Sequence, residues 1–281
     1  MLFRSPDNGQ PSYQRMPSVI DTQMSEAELW QKIQLEVNNM ADEEPTLRGF
    51  LQASVLGHNR LGPALAKLLA DKLQSVPLPA ELLAGLFESS FADPDVAQQL
   101  ICDITAIVER DSACSCAACA LLYYKGFHAL SAWRAAHQLW QNGQKSLAQA
   151  LQHAISTAFG VDIHPAATIG KGIMFDHATG IVIGETAVIE DCVSILQSVT
   201  LGGTGKECGD RHPKVRKGVL IGPGAKILGN IEIGEGSKII AASVVLQNIP
   251  PHSLVAGVPA RVIGHVDVES PAELMDQSLN G

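Results

Sequence analysis

At 281 residues, with 46% hydrophobic and only 5% aromatic residues, the chain is long enough for two domains and must fill its core with aliphatic side chains. Twenty basic residues against 29 acidic ones give a net charge of −9, which excludes the basic stripe of a nucleic-acid binder. No stretch reaches the ~20 uncharged apolar residues of a membrane span, and the opening residues carry no apolar run of the secretory kind, so a cytoplasmic protein without membrane partners is expected.

Residues 1–24 are rich in Pro, Ser, Gln and Asn and read as a flexible N-terminal extension. From residue 25 to 160 the apolar spacing is helical. Ser25 and Glu28 form a capping box, and Leu29, Ile33 and Val37 follow on one face. LGPALAKLLADKLQ, AELLAGLF, DVAQQLICDITAIVERD, LLYYKGFHALSAWRAAHQLW and SLAQALQHAISTAF repeat that spacing. Turn signals at Val76-Pro77-Leu78-Pro79 and Asn142-Gly143 separate them. About six to eight helices are expected. Six cysteines without a secretory leader are expected as reduced thiols. Cys114, Cys116 and Cys119 cluster in CSCAAC. They read as small apolar residues at a helix start rather than a zinc site, which would need a fourth ligand nearby.

From residue 161 to 263 the period is six. An aliphatic or aromatic residue leads each hexad at Ile163, Ile169, Phe175, Ile183, Ile189, Ile195, Leu201, Ile221, Ile227, Ile233, Ile239 and Val245. A polar insertion, ECGDRHPKVRKGVL, interrupts the series after Leu201. Such a repeat marks a solenoid. Three short strands close one triangular coil, so these twelve hexads make about four coils. Residues 264–281 form a polar tail.

Acyl transfer to an alcohol needs a base, because a hydroxyl is a poor nucleophile at neutral pH, and histidine titrates nearest neutrality. His177 lies inside a hexad, on a rigid wall. Asp162 precedes it by fifteen residues, close to one coil, so the two can stand on adjacent coils. A carboxylate there would orient the imidazole. Arg211 offers a planar fork for a carboxylate, although an Arg–His pair in a polar loop is by itself a surface feature.

The hexads resemble the hexapeptide-repeat acyltransferase superfamily, whose coil is left-handed. That hand runs against the usual crossover rule and is implied by the resemblance, not by the pattern. Val161-Asp162-Ile163-His164-Pro165, Asp176-His177-Ala178-Thr179-Gly180, Gly202-Gly203-Thr204-Gly205-Lys206, Gly209-Asp210-Arg211-His212-Pro213 and Ala256-Gly257-Val258-Pro259-Ala260-Arg261, in this order, are similar to the serine O-acetyltransferase family. Asp111 and Tyr124-Lys125-Gly126-Phe127-His128 extend the likeness into the helical half.

The resemblance implies a helical domain followed by a left-handed parallel β-helix. It implies transfer of acetyl from acetyl-CoA, as co-substrate rather than resident cofactor, to L-serine. His177 is the implied base and Asp162 its orienter. Asp111, Asp176, Arg211 and His212 are the implied serine pocket. Gly203, Gly205, Lys238 and Ala241 are the implied acetyl-CoA contacts, with Pro223 standing where the family commonly has Ala. No metal is implied. Also implied are a homohexamer of two trimers, with sites between subunits, and L-cysteine as feedback inhibitor. Partnership with O-acetylserine sulfhydrylase is doubtful, since the chain stops at Gly281 where the family's tail ends in Ile.

Three other readings stay open at this point. One is a hexapeptide O-acetyltransferase for a sugar or xenobiotic. Another is a zinc carbonic anhydrase using His164, His177 and His212. The last is a non-catalytic scaffold.

Overall fold

Ser25 caps the first helix as expected: its hydroxyl accepts from Glu28 N at 3.3 Å while the Glu28 carboxylate accepts from Ser25 N at 2.8 Å. The structure is a computed structural model that describes residues 24–205 and 208–278. The extension expected over residues 1–24 thus lies, up to residue 23, outside the described residues, as does Gly281.

Eight α-helices precede residue 160 among the described residues. They are α1 (Glu26–Glu43), α2 (Arg48–Leu51), α3 (Leu61–Leu73), α4 (Ala80–Phe91), α5 (Pro94–Arg110), α6 (Ala117–Tyr123), α7 (Lys125–Gln141) and α8 (Lys145–Phe159). The apolar stripe of α1, with Leu29, Trp30, Ile33, Val37 and Ala41, is buried. Asp93 caps α5 by accepting from Asp95 N and Val96 N, with Pro94 in the first turn.

Gly160 ends α8 in the left-handed region, at φ 67°, and turns the chain directly into a triangular parallel solenoid. Face one carries β1 (Val161–Ile163), β4 (Ile181–Ile183), β7 (Thr200–Gly202), β10 (Lys226–Leu228) and β13 (Val244–Val245). Face two carries β2 (Thr168–Ile169), β5 (Val188–Ile189), β8 (Lys214–Val215) and β11 (Glu232–Ile233). Face three carries β3 (Met174–Phe175), β6 (Ser194–Ile195), β9 (Leu220–Ile221), β12 (Lys238–Ile239) and β14 (Ser253–Gly257), and closes on antiparallel β15 (Ala260–His265).

Register makes each hexad leader stack on the one below. Ile163, Ile183, Leu201, Ile227 and Val245 form one buried column, and Phe175, Ile195, Ile221, Ile239 and Val255 another. Fully burying each such side chain stabilises by about 1.5–3 kcal/mol. The solenoid holds more than the twelve hexads counted from the sequence. Val215, assigned above to the insertion, is fully buried and pairs with Ile189 and Ile233, so the chain rejoins the coil at β8 and the excursion is shorter. Val255 of β14 continues the third face, giving about five coils rather than four.

The helical half rests on the first coil. Arg134 of α7 pairs with Asp103 of α5 at 2.6 Å, and both are buried. Arg134 also donates to Gly170 O at 2.8 Å, while the other Asp103 oxygen accepts from Ile173 N at 2.9 Å. Every polar atom of this pair that faces the coil meets backbone, which offsets the cost of burying the charges. After β15 a short helix, α9 (Pro271–Leu274), returns to α5, and Asp276 reaches Lys238 at 3.4 Å.

Candidate active site

The candidate residues gather at two corners, on either side of face one. The first corner lies where β3 turns into β4. His177 and Ala178 there adopt left-handed backbone, at φ 52° and 60°. Non-glycine residues pay of order 1–3 kcal/mol each for such geometry, which persists where surrounding structure demands it. The His177 imidazole is 74% exposed, and its Nε2 lies 3.9 Å from Asp176 Oδ1.

Asp111 reaches this corner from the end of α5. Its Oδ1 accepts from Ala113 N and its Oδ2 accepts from Tyr124 Oη, both at 2.8 Å. Burial and the bond to Asp111 push the Tyr124 phenol far above its ordinary pKa, so it stays a donor. Gly126, in the first turn of α7, lets that helix lie directly on the backbone of Phe175, the residue before Asp176. Burial raises the Asp176 carboxyl, the His177 ring opposes that shift, and the charge of Asp111 adds to it. Two carboxylates and an imidazole thus share one corner, an arrangement suited to a small cation.

The second corner lies where face one turns into face two. The loop after β7 folds back so that His212 sits on Gly184, where any Cβ would overlap the imidazole. His212 Nδ1 accepts from Thr186 N at 3.1 Å and meets the Thr186 hydroxyl at 2.9 Å, which leaves the ring proton on Nε2. Burial, then the charge of Arg211, lower its pKa, so the ring is neutral. Arg211 donates to Glu185 Oε2 at 2.6 Å and to Gly209 O at 3.0 Å.

Asp162 projects outward from β1, in register with Val182 and Thr200 along face one. Its Oδ1 accepts from Gln152 Nε2 at 2.7 Å. Within one chain Asp162 makes no hydrogen bond to His177; the imidazole meets Asp176 instead.

The acetyl-CoA candidates divide in the same way. Gly203 packs beside Arg211, and Gly205, at φ 78°, lies further along the same loop. Ala241 is exposed on the turn between β12 and β13, at the corner shared by faces three and one, whereas Lys238 of β12 is buried against Asp276. Gly222, Lys238, Ala241 and Gln277 line a shallow recess. A polar cleft in the helical half, lined by Glu26, Arg60, Glu88 and Ser89 among others, holds none of the candidates.

Tyr124, Glu185 and Thr186 were not singled out above. Tyr124 belongs to the quoted YKGFH run, and Glu185 and Thr186 to the hexad led by Ile183, but their bonds exist only once α7 and the returning loop dock. Among the described residues no three His, Cys, Asp or Glu side chains converge as a metal would need. His177 stands at one corner and His164 and His212 at the other. The cysteines depart from expectation: Cys116 and Cys119 are joined in a disulfide, while Cys102, Cys114, Cys192 and Cys208 are free.

A family model described as "Serine acetyltransferase, N-terminal" matches residues 29–132. The serine acetyltransferase of Escherichia coli strain K12 is 56% identical over 254 residues, covering 90% of this chain and 93% of its own. That of Haemophilus influenzae is 53% identical over 255 residues, covering 90% and 96%. The crystal structure of the Vibrio cholerae serine acetyltransferase superposes with a TM-score of 0.90 at 55% identity, covering 92% of this chain and all of that one.

Proposed function

This chain belongs to the serine acetyltransferase family, and from that premise we propose how its residues move an acetyl group from acetyl-CoA to the hydroxyl of L-serine. The sugar and xenobiotic acceptors, the anhydrase and the scaffold are set aside by that membership.

Asp111 and Asp176 hold the substrate ammonium. Ala113 N and Tyr124 each take one lone pair of Asp111, on different oxygens, so the remaining acceptor capacity of the two carboxylates is directed at one cation. His177 takes the proton from the serine hydroxyl as that oxygen attacks the thioester carbonyl. A tetrahedral intermediate forms, the carbon–sulfur bond breaks, and the imidazolium returns its proton to the departing CoA sulfur. Arg211 exchanges Glu185 for the substrate carboxylate, and neutral His212 donates through Nε2. Asp162 orients the imidazole. In that role it must share or leave Gln152, so Gln152→Ala spares kcat while Asp162→Ala lowers it.

The observation that carries this reading is the meeting of Asp111, Asp176 and His177 at one corner, across the joint between the helical half and the coil. Arg211 and His212 stand across face one from that corner. Each chain therefore carries two half-sites, and a full site forms where the first corner of one chain meets the second corner of its neighbour around a threefold axis. Two such trimers give the hexamer. Acetyl-CoA lies in the groove between the chains, along Gly203, Gly205 and Ala241, and Lys238 must leave Asp276 to reach it.

Solved relatives support the ligand classes. One is a soybean serine acetyltransferase complexed with serine, another a Brucella abortus enzyme in complex with coenzyme A, and a third a serine acetyltransferase in complex with cysteine. L-cysteine differs from L-serine by one atom and competes for the same pocket here. The test is release of CoA thiol from acetyl-CoA and L-serine. His177→Ala lowers kcat by roughly 10²–10⁴ with the urea midpoint unchanged, and a variant with wild-type kcat refutes the base.

A further inference from the structure

Nothing in the mechanism above uses the cysteines at the start of α6. Cys116 is the cap of that helix and Cys119 lies three residues on, with Cα atoms 5.3 Å apart and the two Sγ atoms bonded. Both are half-buried, beside the exposed Ser115, whose hydroxyl lies 3.6 Å from Cys119 Sγ. Cys116 Sγ also accepts from Cys119 N at 3.1 Å, a bond within the cap itself. Cys102 and Cys192 differ: burial pushes their thiols up, which keeps them inert, while Cys208 is free and exposed on the loop after β7.

We propose that Cys116 and Cys119 are a reversible dithiol–disulfide pair that exchanges with small thiols of the glutathione class, and that the disulfide holds the loop carrying Asp111 in its serine-binding shape. The exchange stands on the pair alone, whereas its effect on binding rests on the reading of Asp111 as an ammonium ligand.

The coupling runs through five residues. Cys114 N donates to Asp111 O at 2.9 Å, and Cys114 Sγ donates to Cys116 O at 3.4 Å. The Tyr124 phenol lies beside Cys114 while donating to Asp111. The loop from Asp111 to Cys116 is therefore tied at one end to Tyr124 and at the other to the disulfide. In the exchange a thiolate attacks one of the two sulfurs and their bond breaks. A mixed disulfide forms, and the departing sulfur takes a proton. A second thiol then attacks the mixed disulfide. Two thiols become one small-molecule disulfide, and two electrons pass to Cys116 and Cys119. Reduction removes the covalent tie and leaves the loop more conformations to lose on binding the substrate.

The test is a redox titration of the full chain in buffers of glutathione and glutathione disulfide. Samples are quenched in acid, alkylated and digested for mass spectrometry, with KM for L-serine and for acetyl-CoA measured alongside. Cys116 and Cys119 should lose alkylation together on oxidation while Cys114 keeps it. KM for L-serine should fall about three- to tenfold over the same range with KM for acetyl-CoA fixed. Cys116→Ser/Cys119→Ser should hold the reduced-state KM in every buffer. Full alkylation of both cysteines in glutathione disulfide overturns the proposal, as does a constant KM while the pair oxidises. Asp111→Asn separates the two premises. If that variant leaves KM for L-serine untouched, the Asp111 reading fails and the coupling with it, while alkylation alone decides whether the pair exchanges.

Discussion

Gly126→Ala places a methyl group on the joint that assembles the first corner. A Cβ there would lie 3.0 Å from Phe175 Cβ and 3.1 Å from its carbonyl carbon, with the carbonyl oxygen nearer still. The obstruction is mainly backbone, and β3 is held in register by β6, so no rotamer change relieves it. Helix α7 must move by about an ångström, which sets the cost at the upper end of overpacking, about 3 kcal/mol. The same movement carries Tyr124, and Asp111 with it, away from Asp176 and His177. Urea denaturation should show that loss of stability. KM for L-serine should rise at least tenfold, by about 1.4 kcal/mol of binding, with a smaller change in KM for acetyl-CoA. A variant with the wild-type urea midpoint and wild-type KM for L-serine would refute the claim that this contact builds the pocket.

Tyr124→Phe removes the donor to Asp111 while keeping the ring, so KM for L-serine should rise roughly threefold to tenfold, less than the full worth of a hydrogen bond to a carboxylate because Asp111 keeps its bond from Ala113 N; steady-state kinetics with both substrates checks it. His128 is buried, its Nε2 donates to Leu121 O at 2.7 Å, and burial pulls its pKa from 6.5 down to about 4. Between those values the unfolded chain binds a proton that the folded chain refuses. Stability from this group is therefore full above pH 6.5 and declines as pH falls toward 4, by on the order of 3 kcal/mol. Urea denaturation at a series of pH values should show that slope, and His128→Gln should flatten it.

The solenoid is legible in the sequence because one inward aliphatic per six residues leaves no other period to choose. Val215 escapes that reading because Lys214, Arg216 and Lys217 surround it. Those side chains face outward, and Arg216 bridges Glu190 and Glu232 across two coils. His177 and Asp176 are readable as a motif, but which corner Arg211 occupies depends on where a loop after β7 folds back, and no local spacing encodes that. Glu185 becomes the partner of Arg211 only through that fold. Composition argues for reduced cysteines throughout, whereas the cap geometry of α6 brings Cys116 and Cys119 within bonding reach.

The central claim is that each site is completed across two chains, and subunit mixing tests it most directly. His177→Ala and Arg211→Ala each spoil a different half-site, so each variant alone should be nearly inactive. Unfolded together and refolded in equal amounts, they should form trimers in which a chain with intact His177 meets a neighbour with intact Arg211. About one quarter of the interfaces are then whole, and about one quarter of wild-type activity should return. Sites contained within single chains predict no recovery at any mixing ratio, and a mixture as inactive as its parts would contradict the account.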